Sequence, residues 1–352
     1  MFNNIYKGKK VLVTGHTGFK GSWLSIWLNK LGAEVIGYSL EPPTEPSMFK
    51  VCNLNKKIIS LIGDIREYKT LEDVFKLYKP EIVFHLAAQP LVRYSFKNPI
   101  ETYETNIMGT VNLLEVAKKD ESTKAVLVIT TDKCYENKEW EYGYREIDSM
   151  GGYDPYSSSK GCVELIVSAY RSSFYNEKGI ALASARAGNV IGGGDWAEDR
   201  LIPDFIKATL MDRSISIRNP MATRPWQHVL EPLSGYLRLV ELMLTSDKNY
   251  SSGWNFGPKD TDVLNVKEVI DRCISAWGKG SMVVEKSDNL HEANLLKLDI
   301  SKAMRYLNWY PLYDVNKAIE STIKWYAEYY QNKVDMYDYT LGQIDEYESS
   351  KS

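Results

Sequence analysis

Cysteine and histidine are scarce in this chain of 352 residues, which has four of each. Cys52, Cys134, Cys162 and Cys273 stand far apart with no CxxC pair. That spacing gives neither a disulfide framework nor a thiolate metal cage, and fits free thiols in a reducing compartment. His16, His85, His228 and His291 show no ligand spacing either, so no metal site is expected. No stretch approaches the roughly 18 apolar residues that cross a bilayer, and the opening MFNNIYKGKK holds no apolar signal region. No membrane partner is expected, and the chain is expected in the cytoplasm. Dense blocks of Lys and Arg are also missing and the formal net charge is −3, which leaves no electrostatic basis for nucleic-acid binding.

What is present is ordinary globular composition, 44% hydrophobic and 25% charged, in a chain long enough for one large α/β unit and a smaller partner. The apolar runs KKVLVTG, EVIGYSL, IISLIGD, EIVFHLAA and AVLVITT alternate with helical patterns such as Gly21 to Leu31 and Pro99 to Lys119. This alternation predicts an α/β fold, a doubly wound parallel sheet with helices on both faces. Being apolar throughout, the strands are expected to be central ones. A long helix is expected from Tyr156 to Asn176, and the Gly192-Gly193-Gly194 cluster then breaks the pattern. The expected division is 1–190 for the sheet domain and 191–331 for a smaller, mixed α/β substrate lobe. The acidic, Tyr-rich segment 332–352 shows little periodicity and is expected to fray.

Directly after the first strand the chain reads Gly15-His16-Thr17-Gly18-Phe19-Lys20-Gly21 and enters an apolar helix. Between strand and helix these glycines serve a tight turn, close approach of backbone to a pyrophosphate, and close helix packing, with the helix N-terminus facing the anion. A dinucleotide cofactor on a Rossmann-type domain is therefore predicted, although the spacing is GxxGxxG. At the end of the second strand, Glu41 reads equally as the ribose ligand or as a solvated loop charge. No Arg follows that strand to meet a 2′-phosphate, which favours NAD over NADP. Asp64, after the third strand, reads as an acceptor for the adenine amino group, or as a turn or helix cap.

Tyr156 and Lys160 are four apart at a helix start and so share one face. A phenol of pKa about 10 becomes a base near neutral pH only beside a cation, a part Lys160 can play. The spacing alone decides nothing, because Tyr6/Lys10, Tyr313/Lys317, Tyr329/Lys333 and Tyr347/Lys351 repeat it. Only the pair at 156 sits just beyond the fifth predicted strand, near the carboxyl edge where ligands bind, and the end of that strand carries Thr131, a donor for a substrate hydroxyl.

The glycine loop, Thr131, Tyr156 and Lys160 together resemble the extended short-chain dehydrogenase/reductase family over residues 8 to 195. Within it, TGHTGFKGSW, LAAQPLVRYS, YGYREIDSMGGYDPYSSSK, RAGNVIGGGDWAEDRLIPD and RPWQHVLEP resemble the CDP-glucose branch of the nucleotide-sugar 4,6-dehydratases. The resemblance implies an NAD-dependent lyase acting on a CDP-linked glucose, with internal hydride transfer from C4 to C6, and a homodimer or homotetramer. It implies Tyr156 as the base at the 4-hydroxyl and Asp132 as the acid for the departing C6 hydroxyl. Lys133 stands where related dehydratases carry a second acidic residue; it is assigned to C5 deprotonation, or to orienting water and steadying the enolate. Cofactor contacts are implied for Gly15, Thr17, Gly18, Phe19, Lys20, Gly21, Asp64, Ile65, Leu86, Ala87, Ala88, Gln89, Asn106, Thr130, Tyr156 and Lys160.

Substrate contacts are implied for Asn189, Arg200 and Arg224 at the diphosphate, and for Gln89 and Arg93 near the sugar. His291, with Glu292 beside it, reads either as a nucleotide ligand or as a helix start. Two other functions stay open at this level: another nucleotide-sugar 4,6-dehydratase or 4-epimerase, and a non-catalytic NAD-binding sensor.

Overall fold

The computed structural model describes residues 2–246, 248–260, 262–285 and 295–350. The predicted strands become β1 (Lys10–Thr14), β2 (Glu34–Ser39), β3 (Ile59–Ile62), β4 (Ile82–His85), β5 (Ala125–Ile129) and β6 (Ala181–Arg186). With β7 (Gly253–Asn255) they form one sheet in the order β7-β6-β5-β4-β1-β2-β3, every pairing parallel. Alternate residues feed two cores. Val11, Val13, Phe84 and Leu127 pack on one face, and Leu12, Val83, Val126 and Val128 on the other. That double burial is why the strands lack a polar stripe. One strand departs from the expectation of central placement: β3 is an edge, half-buried to exposed, and the other edge is β7, which the sequence pattern did not predict.

Because β1 pairs with β2 on one side and β4 on the other, the direction of winding reverses between β1 and β4. A crevice opens there beyond the carboxyl ends of the strands. Helix α1 (Phe19–Lys30) leaves β1 at this crevice, and α2 (Gly109–Lys119) continues the Pro99–Tyr103 helix. Helix α3 (Pro155–Tyr170) starts where Asp154 accepts from Ser157 N at 2.9 Å, with Pro155 in the first turn. Tyr156 is thus fixed in the first turn of α3, and Lys160 one turn on.

The expected boundary near residue 190 does not separate two cores. Leu233, Leu237 and Val240 of α4 (Leu230–Thr245), and Trp254 of β7, share a hydrophobic core with β1 and β5. Beyond the sheet lie short strand pairs, Ile215–Ile217 with Met282–Val284 and Thr223–Pro225 with Val263–Asn265, followed by α5 (Val315–Ala327). The acidic tail departs from the expectation of fraying. It forms α6 (Met336–Ser349), capped by Asp335, which accepts from Tyr337 N and Asp338 N. Met336, Tyr337, Thr340, Ile344 and Tyr347 are buried, and Glu348 accepts from Trp27 Nε1 at 2.7 Å on α1. Among the described residues no helix is long and apolar enough to cross a membrane, and no cluster of His, Cys, Asp and Glu has metal-site geometry.

Candidate active site

The crevice is a cavity of about 1110 Å³ whose wall includes the glycine loop, Thr131, Asp132, Lys133, Tyr156, Lys160, Asn189, Arg200 and Arg224. At one end α1 presents its N-terminus. Gly18 caps it without a side-chain bond, so the first-turn N–H groups of Phe19, Lys20 and Gly21 lack side-chain partners there. Gly15 has φ +76°, and a Cβ on it would lie 2.8 Å from Ala87 N; a Cβ on Gly21 would lie 2.1 Å from Gly15 O. The result is a bare backbone cradle at a helix N-terminus, which fits a dinucleotide pyrophosphate.

Gly15, Gly18, Phe19, Lys20, Gly21, Leu86, Ala87 and Ala88 line this half. Thr17 also lines it, but its hydroxyl donates to the carbonyl of Leu40 at 2.9 Å and is shared with Ser39 Oγ at 2.8 Å. Ile65 lines the wall in contact with the backbone at Gly109, where a Cβ would lie 2.5 Å from Ile65 Cδ1. Asp64 reaches the cavity while held by Arg66, whose Nε and terminal nitrogen donate at 2.9 and 2.6 Å. Partial burial raises the Asp64 carboxyl and the bonds from Arg66 outweigh it, so Asp64 titrates below its usual range. Glu41 is exposed at the rim.

Two expected cofactor ligands are engaged with protein partners. Asn106 does not line the cavity: it is 1% exposed, accepts from Gln89 N at 2.8 Å and donates to Ser159 Oγ at 2.8 Å. Gln89 does not line it either, because its side chain donates to Thr102 Oγ1 at 2.9 Å and accepts from Leu91 N at 2.5 Å. Both shape the β4 loop from behind. Thr130 touches the cavity, yet its hydroxyl turns away and donates to Glu164 at 2.5 Å.

The reactive turn follows β5. Thr131 caps the short turn Asp132–Cys134 and donates to Asp132 Oδ1 at 2.9 Å. Asp132 is 2% exposed, and its pocket exists because residue 188 is glycine: a Cβ there would fall 1.9 Å from Asp132 Oδ2. Lys133 is exposed at the cavity wall.

Tyr156 shares a hydrogen bond with Thr131. Burial pushes its phenol up to about 12, with Thr131 and Arg200 pulling it down and Asp132 and Asp154 raising it. Burial lowers Lys160 to about 8, and its ammonium donates to the Ile129 carbonyl at 3.3 Å. Lys20 is also driven down to about 8, first by burial and then by Arg200.

At the far end Arg93, Asn189, Arg200 and Arg224 line the wall. Asn189 adopts φ 48°, a left-handed conformation that Asn tolerates better than most residues. Arg200 pairs with Asp195 at 2.8 Å, and Arg93 with Asp199 at 3.2 Å. His291 and Glu292 lie outside the described residues. Sequence reasoning missed Arg218, which lines the same wall and ends the strand Ile215–Ile217. It also missed Asp204, raised to about 6 by burial and then by Asp199. Gly188 sat unremarked inside the quoted RAGNVIGGGDW run.

Residues 12–322 match the model of the GDP-mannose 4,6 dehydratase family. The CDP-glucose 4,6-dehydratase of Salmonella typhimurium is 51% identical over 353 residues, spanning 99% of this chain and 98% of that protein. The dTDP-glucose 4,6-dehydratase of Haemophilus influenzae is 27% identical over 90% of this chain and 97% of that one. Among solved structures, the UDP-glucose 4-epimerase of Thermotoga maritima with UDP-glucose aligns with a TM-score of 0.78 at 23% identity, covering 91% of this chain and 99% of that one. A double mutant of the dTDP-glucose 4,6-dehydratase of Streptomyces venezuelae, with NAD bound, gives 0.78 at 22% identity, covering 90% and 97%. The chain belongs to the GDP-mannose 4,6-dehydratase family of nucleotide-sugar enzymes.

Proposed function

We propose that this chain is a lyase that dehydrates CDP-D-glucose to CDP-4-dehydro-6-deoxy-D-glucose with NAD as resident cofactor, a step in making deoxysugars. The observation that carries the reading is the buried Thr131-Asp132 pair beside Tyr156 in one cavity, in a chain 51% identical to a CDP-glucose 4,6-dehydratase. NAD, when bound, supplies the chemistry of accepting a hydride from the sugar and giving it back. The cradle of Gly15, Gly18 and Gly21 at the start of α1 would hold its pyrophosphate, with Asp64 toward the adenine.

The chain's own residues then move protons. Tyr156 takes the proton of the sugar 4-hydroxyl, and positive charge from Arg200 offsets the burial that keeps it a phenol, with Lys160 one turn on along α3. Ketone formation at C4 acidifies the C5 hydrogen. Lys133 stands at the wall to remove that proton or to steady the enolate, and Asp132 protonates the hydroxyl leaving C6. Arg93, Arg200, Arg218 and Arg224 offer the cations a diphosphate needs, with Asn189 as a polar neighbour.

A 4-epimerase has no use for an acid beside the tyrosine, so buried Asp132 speaks for elimination. A sensor would not need Tyr156 and Lys160 together. Incubating the NAD-supplied protein with CDP-, dTDP-, GDP- and UDP-glucose tests the proposal: the 4-keto-6-deoxy product should form from the CDP sugar by a wide margin. Preference for another base, or a 4-epimer as product, would replace it. We further propose a cytoplasmic homodimer or homotetramer, to be checked by light scattering.

A further inference from the structure

Glu164 and Arg186 form an ion pair at 2.7 Å with side-chain exposures of only 3% and 5%. A buried pair returns little net stability after desolvation, so the groups it organises are informative. Glu164 accepts from Thr130 Oγ1 at 2.5 Å and from Ser184 Oγ at 2.7 Å. Arg186 donates to Tyr135 Oη at 2.5 Å and lies 5.0 Å from the centre of that ring. Tyr135 donates in turn to Asn255 Oδ1 at 2.8 Å on β7. Thr130 and Tyr135 flank the reactive turn, so both ends of Thr131, Asp132 and Lys133 are tied to one ion pair. Glu164 also stands four residues after Lys160 on α3, on the same face.

We propose that Glu164 is a positioning residue of the reaction: with Arg186 it clamps both ends of the Thr131–Lys133 turn, and along α3 it balances the ammonium of Lys160. The inference rests on the dehydratase reading above. The groups facing Lys160 are Glu164 on its own helix, Cys134 after β5, His85 on β4 and Lys20 on α1. Burial drives Cys134 well up and His85 down to about 3, so both are uncharged near neutral pH, and Lys20 is a like charge. Glu164 is the anion of the set. It titrates low because Arg186 and the hydroxyls of Thr130 and Ser184 outweigh its burial. Lys160 is charged below about 8, and loss of the Glu164 charge narrows that range from the alkaline side.

The test is Glu164→Gln in the full chain supplied with NAD and CDP-glucose. The expected result is kcat lower by about 10- to 100-fold with KM within about 2-fold, in keeping with the loss of an outer-shell orienting group. The alkaline limb of the kcat–pH profile should also move to lower pH. A folded Glu164→Gln protein with wild-type kcat and an unmoved limb overturns the proposal. If that variant does not fold, Tyr135→Phe, which removes a single hydroxyl from Arg186, takes its place. It should lower kcat while KM holds and the protein stays folded, and unchanged kcat overturns the clamp. Should the wild-type protein prefer another nucleotide sugar, the dehydratase reading is what changes, and the same variants are judged on that sugar.

Discussion

In the proposed reaction Tyr156 carries the first proton transfer, and its surroundings set the conditions. A phenol held near 12 by burial must meet positive charge before it can act as a base. Replacing Tyr156 by Phe is expected to lower kcat by at least about 100-fold, the usual contribution of a positioned acid–base group. Equilibrium binding of NAD should survive, because the cradle at α1 is untouched. A variant with near wild-type turnover would remove Tyr156 from its role. Gly188→Ala is the sharper probe of Asp132. The new Cβ would fall 1.9 Å from the carboxylate, so Asp132 must shift. The expected result is kcat down about 100-fold with the fold retained, since misplacement by about 1 Å has that scale of effect. Residue types alone could flag Tyr156, Lys160 and Asp132, because their chemistry is distinctive. They could not flag Gly188, whose importance is the space it leaves. Gln89 and Asn106 show the converse: a polar residue beside a strand end can serve the loop as readily as a ligand, and its protein partners are visible only in three dimensions.

At the scale of elements, sheet and helix pattern were legible wherever burial imposes a period. β1 to β6 and α3 fell close to their expected places because aliphatic runs and a capping Asp-Pro mark them. α6 was not legible, since Tyr337, Thr340, Ile344 and Tyr347 carry its buried face among acidic residues, and tyrosine and threonine do not read as a core stripe. Its docking site includes Glu231 on α4, which accepts from Tyr347 Oη at 2.7 Å and Tyr313 N at 2.7 Å. Burial raises Glu231 to about 7 from 4.5, despite those donors. With the folded value above the unfolded one, the native state holds the extra proton between these values. Stability from this group is full below about 4.5 and is lost as pH rises through about 7. Melting temperature should therefore decline across that window more in the wild type than in Glu231→Gln; equal slopes would contradict the assignment. Ile344→Ala should cost about 2–5 kcal/mol, as for other fully buried Ile truncations, measured by denaturant unfolding.

The whole molecule joins two ends of one cavity, the glycine cradle proposed for a dinucleotide and the arginine wall proposed for a diphosphate, with the Thr131–Lys133 turn lining the same cavity. The parallel order of the sheet creates this arrangement, because the reversal at β1 and β4 leaves a crevice that α1, the β5 turn and α3 all face. Sequence alone could place the cradle, since strand, glycines and helix are contiguous. The arginine wall comes from Arg93, Arg200, Arg218 and Arg224, far apart in the chain, and Arg218 emerged only in three dimensions. The substrate base likewise has no residue-level signature, and the CDP reading rests on the 51% identical relative.

The central claim is that hydride leaves and returns within one turnover while C5 exchanges its hydrogen. The direct measurement is mass and NMR analysis of the product formed from CDP-glucose by the NAD-supplied protein in deuterated water. The account predicts CDP-4-dehydro-6-deoxyglucose with one solvent deuterium at C5 and no net reduced cofactor. Product without label at C5, or reduced cofactor released in step with substrate consumed, would contradict it.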